Sequence, residues 1–265
     1  MKKNLLLLLV LLVFPISLFA QGSYKQPPKD IMDVLNAPAT PATSISPTRD
    51  KMALLEPLRY PPIAELAQPM LRIAGLRINP NTNGQHRQFY SVSLKLKNIA
   101  DGKETAVNLP AGAQIISPQW SPDGKFIAAG NITPSGIELW IIDTATAKAV
   151  KVKNVFVNTA FGGFSWEDSR TISATLVPSK RGAAPGYQNI TPSEPNIQET
   201  SGRTGAVQTF QDLLKSPNDE RLFEYYSTSQ LALIDVNGKV REIGTPAIYN
   251  NADFSPDGKY VLAER

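Results

Sequence analysis

The sequence predicts an all-β chain: a partial β-propeller of about four blades, each a four-stranded antiparallel sheet, with a few short helices and an N-terminal signal peptide. Three observations predict it. A turn motif recurs, β-hairpin patterns fill the intervals, and helical signals are few and short. Ser121-Pro122-Asp123-Gly124-Lys125-Phe126-Ile127 returns as Ser255-Pro256-Asp257-Gly258-Lys259-Tyr260-Val261, with weaker copies at Ser46 to Met52 and Ser165 to Thr171. In the clear copies proline pre-sets φ and glycine accepts φ > 0, so each string reads as a tight turn between two apolar stretches. The copies stand 75, 44 and 90 residues apart, which fits a unit of ~45 residues interrupted by insertions.

Second hairpins fall between the turns. Gly136 to Asp143 alternates, breaks at Thr144 to Ala147 and resumes as Lys148 to Val152. Gln230 to Val236 turns at Asn237-Gly238 into Lys239 to Ile243, and Asn-Gly is a strong hairpin dipeptide. Helices are expected at Pro28 to Leu35, at Pro62 to Leu66, and from an N-capping Ser216 with Pro217 in the first turn to about Tyr226. Residues 178–207 are rich in Pro, Gly, Ser and Asn and almost free of large apolar side chains, so they read as a flexible surface insertion.

Composition excludes several chemistries. The 265 residues are 42% hydrophobic and 19% charged, a globular balance. There is no cysteine and one histidine, His86, which removes disulfides, thiolate zinc sites and multi-histidine metal centres. No cofactor or metal is expected. The net charge of +4 falls to +2 without Lys2 and Lys3, and the cations are scattered rather than striped, so no nucleic-acid partner is expected. Met1 to Lys3 followed by the apolar run Leu5 to Phe14 and Pro15 to Ala20 has the layout of a secretory signal peptide. Residues 1–20 are read as that peptide and 21–265 as an incomplete propeller domain, periplasmic or extracellular, without a stable membrane span.

Several strings are more specific than the turns. Tyr24 to Leu35, Ala37 to Pro41, Ser44 to Lys51, Pro61 to Ala67, Ala74 to Ile78 and Thr209 to Lys215 resemble the glutamyl endopeptidase group of the prolyl oligopeptidase family of serine peptidases. The resemblance implies a two-domain enzyme in which an N-terminal propeller selects peptide or protein substrates for a C-terminal α/β-hydrolase domain, with cleavage after acidic residues. None of the family's catalytic residues has a matching position. Gly163-Phe164-Ser165-Trp166-Glu167 puts Glu where a nucleophile elbow needs its second glycine, so Ser165 is read as a hairpin residue and His86 as a loop residue. The chain stops at Arg265 just after the strand Lys259 to Ala263, in mid-blade, so a truncated propeller, inactive alone, is expected. The competing reading is a non-catalytic envelope propeller that binds protein or ligand. Arg72, Arg77, Arg87 and Arg203 are candidates for gating or for holding an acidic side chain, each read first as a solvated charge; no catalytic, cofactor or metal residue is assigned.

Overall fold

A computed structural model describes residues 25–186, 202, 210–255 and 257–265. The expected signal peptide, Arg203 and most of the 178–207 insertion lie outside the described residues. The chain divides into two units, Met1–Pro38 and Ala39–Arg265. In the first, α1 (Lys29–Leu35) starts directly after Pro28, carries Asp30 in its first turn and buries none of its residues. Proline's fixed φ and the acidic first turn both favour a helix start there, as the sequence suggested.

In the second unit the chain winds through antiparallel meanders. The first joins β1 (Ala42–Ile45), β2 (Lys51–Pro57), β6 (Ser91–Asn98) and β7 (Glu104–Ala106). Between β2 and β6 are inserted α2 (Ile63–Leu66) and a small sheet of β3 (Leu71–Ile73), β4 (Leu76–Asn79) and β5 (Gly84–Gln85). The second meander is β8 (Ile115–Trp120), β9 (Phe126–Thr133), β10 (Gly136–Asp143) and β11 (Lys148–Lys151). It touches the first sheet's ladder at one pair, Ser91 with Ile115. The third is β12 (Phe164–Trp166), β13 (Thr171–Leu176), β14 (Ser229–Asp235) and β15 (Val240–Ala247), with α3 (Pro217–Ser227) inserted between its second and third strands. A last hairpin pairs β16 (Asn251–Phe254) with β17 (Val261–Glu264). Among the described residues there are therefore three four-stranded blades and the opening hairpin of a fourth, and no described sheet closes into a barrel.

The repeated serine turn joins the first and second strands of the first, second and last of these units. Ser46, Ser121 and Ser255 each take a backbone N–H five residues on, at 3.1, 3.0 and 3.0 Å, on the hydroxyl oxygen. Each hydroxyl donates in turn to an aspartate, Asp50, Asp123 or Asp257, at 2.9, 2.8 or 2.7 Å. Side-chain clamps of this kind stabilise a turn locally. Gly124 and Gly258 sit at φ +72° and +66°, and Arg49 holds the corresponding +60° in the first blade.

The third blade corrects the expected alignment. Its turn closes through Glu167 N–H to the Thr171 carbonyl at 2.9 Å, while Ser165 lies on β12 opposite Ser173. Glu167, not Ser165, therefore stands where Ser121 stands, and the true landmark is the tryptophan before it. Trp120 precedes Ser121 and Trp166 precedes Glu167, placing the two turns 46 residues apart, one uninterrupted blade. The wider intervals on either side contain the insertions at 58–90 and 177–228.

Apolar side chains fill the spaces between blades. Leu55, Leu94 and Leu96 of the first meet Ile115, Ile127 and Ile142 of the second. On the other side Ala128, Leu139 and Ile141 meet Ile172, Ala174 and Ile234 of the third. Successive residues of a strand point to opposite faces, so β9 alternates its partners and is buried from Ile127 through Asn131. A strand covered on both faces reads as a continuous apolar run rather than an alternation.

Candidate functional site

Strand direction sorts the connections. In a four-stranded meander the links between second and third strands, and from each blade to the next, emerge at one end; the serine turns emerge at the other. Both large insertions belong to the first class. They pack on each other, with Leu71, Ile73 and Ile78 of the small sheet buried against Leu222 and Tyr226 of α3. α3 forms as its sequence dictates: the Ser216 hydroxyl accepts the Asp219 N–H at 3.2 Å and Pro217 opens the first turn.

A polar hub locks this end. Arg181 donates from Nη1 to Asn83 Oδ1 at 2.5 Å and to the Tyr225 carbonyl at 3.1 Å. Its guanidinium lies 4.2 Å from the Tyr225 ring centre and 5.7 Å from that of Tyr226, within cation–π range. Burial lowers its pKa from the usual value. Asn83 donates to the Tyr226 carbonyl at 3.2 Å, and Asn158 donates to the same carbonyl at 2.8 Å. Residues from both insertions and from the link between the second and third blades thus meet at the last turn of α3. Arg181 falls within 178–207, so the described start of that stretch is anchored rather than loose: a stacked guanidinium substitutes for the apolar side chains the segment lacks.

Beside the hub is a cavity of about 490 Å³ whose walls include Glu65, Gln68, Thr82, Arg87 and Gln88 of the first insertion and Gln114 and Thr133 of the second blade. Tyr90 donates to Glu65 at 2.7 Å; burial first, then this bond, raises the phenol's pKa. The ring Nε2 of His86 lies 3.1 Å from the Gln68 carbonyl, and Arg87 holds φ +58°. Amides, one guanidinium and one carboxylate suit binding of polar groups. Ser165 and His86, neither of which lines this cavity, have separate partners: Ser165 Oγ is 3.2 Å from Ser173 Oγ, and the His86 ring faces the Gln68 carbonyl. Among the described residues no group of three or more His, Cys, Asp or Glu could hold a metal, and no helix is long and apolar enough to cross a membrane.

Two of the cationic candidates are paired. Arg72 and Arg77 face each other across β3 and β4 and share the Asp212 carboxylate, with Nε–O separations of 3.9 and 3.6 Å. The Asp212 carbonyl also accepts the Gly75 N–H at 3.0 Å. Two of the specific strings, around Ala74 to Ile78 and around Thr209 to Lys215, therefore touch in space. Sequence reasoning named the arginines but not the aspartate, which is separated from them by well over a hundred residues.

The fold and this end define a blade-built segment with both large insertions packed at one end and no catalytic cluster among its described residues. Comparison narrows the class. No family model matches the chain. It is 37% identical over 259 residues to "Probable glutamyl endopeptidase, chloroplastic" of Oryza sativa subsp. japonica, covering 92% of this chain and 27% of that protein. It is also 37% identical over 253 residues to the protein of the same description from Arabidopsis thaliana, covering 90% and 26%. The chain is thus related in sequence to the glutamyl endopeptidase group, and it spans about a quarter of these relatives' length. Among solved structures, Pyrococcus horikoshii acylaminoacyl peptidase overlaps 77% of this chain and 25% of its own at 15% identity and a TM-score of 0.37. The putative TolB of Agrobacterium tumefaciens overlaps 84% and 74% at 13% identity and a TM-score of 0.30. Superpositions this loose carry no functional weight. The curated relatives do correct one expectation: both are described as chloroplastic, against a periplasmic or extracellular destination. The expectation rested on the layout of residues 1–20 alone, and these lie outside the described residues.

Proposed function

We propose that this chain is the propeller portion of a serine peptidase of the glutamyl endopeptidase type, and that it receives and selects peptide or protein substrates while bond cleavage, after acidic residues, belongs to a hydrolase domain elsewhere in the whole protein. The observation that carries this reading is the 37% identity extending over 92% of the chain. The insertion-bearing end supports it, because cavity, hub and arginine pair converge there while the opposite end is made of short turns.

Hydrogen exchange on the whole chain with excess unstructured peptide tests the first part. Protection should appear in 58–90 and 210–228 and not at the serine turns; protection confined to the turns overturns the assignment of the binding end. A fluorophosphonate probe tests the second part. The chain should remain unlabelled, and specific labelling of Ser165 would place cleavage chemistry here after all.

A further inference from the structure

We infer that Arg72 and Arg77 form a carboxylate-binding site for an acidic side chain of a bound peptide, and that Asp212 is the site's internal stand-in. The inference rests on the peptide-handling reading for its ligand, but not on cleavage by this chain.

The hairpin that presents the two arginines turns at Ala74 and Gly75. Ala74 and Gly75 hold φ +51° and +77°, the two-residue turn geometry with positive φ at both positions that matches strand twist. It puts Arg72 and Arg77 in direct cross-strand register. Like charges placed so repel each other, so the pair calls for an anion between them.

Asp212 supplies one, but weakly. Its carboxylate oxygens stand 3.6 and 3.9 Å from the arginine Nε atoms, beyond the ~2.7–3.2 Å of an N–H···O bond. The arginine side chains keep 57% and 53% of their surface exposed while that of Asp212 keeps 14%. Two cations against one anion leave one positive charge for a second carboxylate. A guanidinium offers a planar fork of donors matched to a carboxylate's two oxygens. An incoming glutamate or aspartate side chain would take that fork from the solvent side, either displacing Asp212 or joining it.

The test is fluorescence anisotropy of two labelled peptides, one with a central glutamate and one with glutamine in its place, titrated with the whole chain. The glutamate peptide should bind about ten-fold more tightly. That preference should vanish in the Arg72→Gln, Arg77→Gln double variant, with folding checked by circular dichroism. Asp212→Asn should strengthen glutamate-peptide binding, a gain that misfolding cannot imitate. Equal binding of the two peptides, or an unchanged preference in the double variant, overturns the site and leaves peptide handling standing. Binding of neither peptide overturns both. Inorganic phosphate displacing the label better than the unlabelled glutamate peptide also overturns it, because the site would then be one for phosphate.

Discussion

Trp166 Nε1 donates to the Gln119 carbonyl at 3.0 Å, and Gln119 Nε2 donates back to the Phe164 carbonyl at 3.0 Å. This reciprocal pair ties the first strand of the third blade to the first strand of the second. Trp120 repeats half of it one blade earlier, donating to Ser44 Oγ at 3.0 Å. Phe254 precedes Ser255 in the last hairpin and has no side-chain N–H to offer. Trp166→Phe, which keeps most of the ring and loses the donor, should cost about 1 kcal/mol. Urea unfolding with a lowered midpoint and an unchanged slope would show it; an unmoved midpoint would mean the bond contributes nothing net.

The serine turns differ in what surrounds their glycines. A Cβ on Gly124 would lie 2.7 Å from Thr48 Oγ1, whereas one on Gly258 meets nothing within 4 Å. Both substitutions to alanine carry the left-handed backbone cost of roughly 1–2 kcal/mol, and Gly124→Ala adds a clash. Gly124→Ala should therefore destabilise more than Gly258→Ala in thermal melts. Thr48→Ala should rescue only the former.

Acid should loosen the turn at Asp123. Burial raises the pKa of this carboxyl, but bonds from the Ser121 hydroxyl and from Lys125 outweigh burial and hold it below the usual carboxylate value. A depressed folded value means the stabilisation is present above the unfolded value of about 3.9 and is lost as pH falls through the lower folded value. Asp123→Asn should be less stable at pH 7, and the gap to the natural chain should close below pH ~4. A gap that widens on acidification would contradict this assignment.

Removing the hub cation should free one end selectively. Arg181→Ala leaves Asn83 Oδ1 and the Tyr225 carbonyl without the donor each receives, a cost of about 1–3 kcal/mol if both stay buried. Amide exchange should accelerate in Pro217–Ser227 and remain unchanged in β9 and β10. Uniform acceleration would show that the hub supports the whole sheet array.

The fold was legible where one residue type forces one geometry. Ser-Pro-Asp-Gly announces a turn, Asn237-Gly238 a hairpin, and Ser216-Pro217 a helix start; all three stand where they were expected. Ser165 was misaligned because a matching serine is a weaker marker than the tryptophan beside it, whose indole reaches the neighbouring blade. The hub was illegible. Asn83, Asn158 and Arg181 are ordinary surface-type residues in separate loops, and only the packing of two insertions makes them neighbours. The same holds for Asp212, whose local sequence gives no sign of the arginines awaiting it. What reads from sequence is local stereochemistry; what does not is closure between distant segments.

Because insertions gather at one end, the other end is available as an attachment point. Asp101 and Gly102 link β6 to β7 on that side, and Gly102 has open space around it. A dye, affinity tag or surface tether fixed there would leave the arginine-bearing face turned toward the solution, so binding could be watched on immobilised protein without the anchor masking what is being measured.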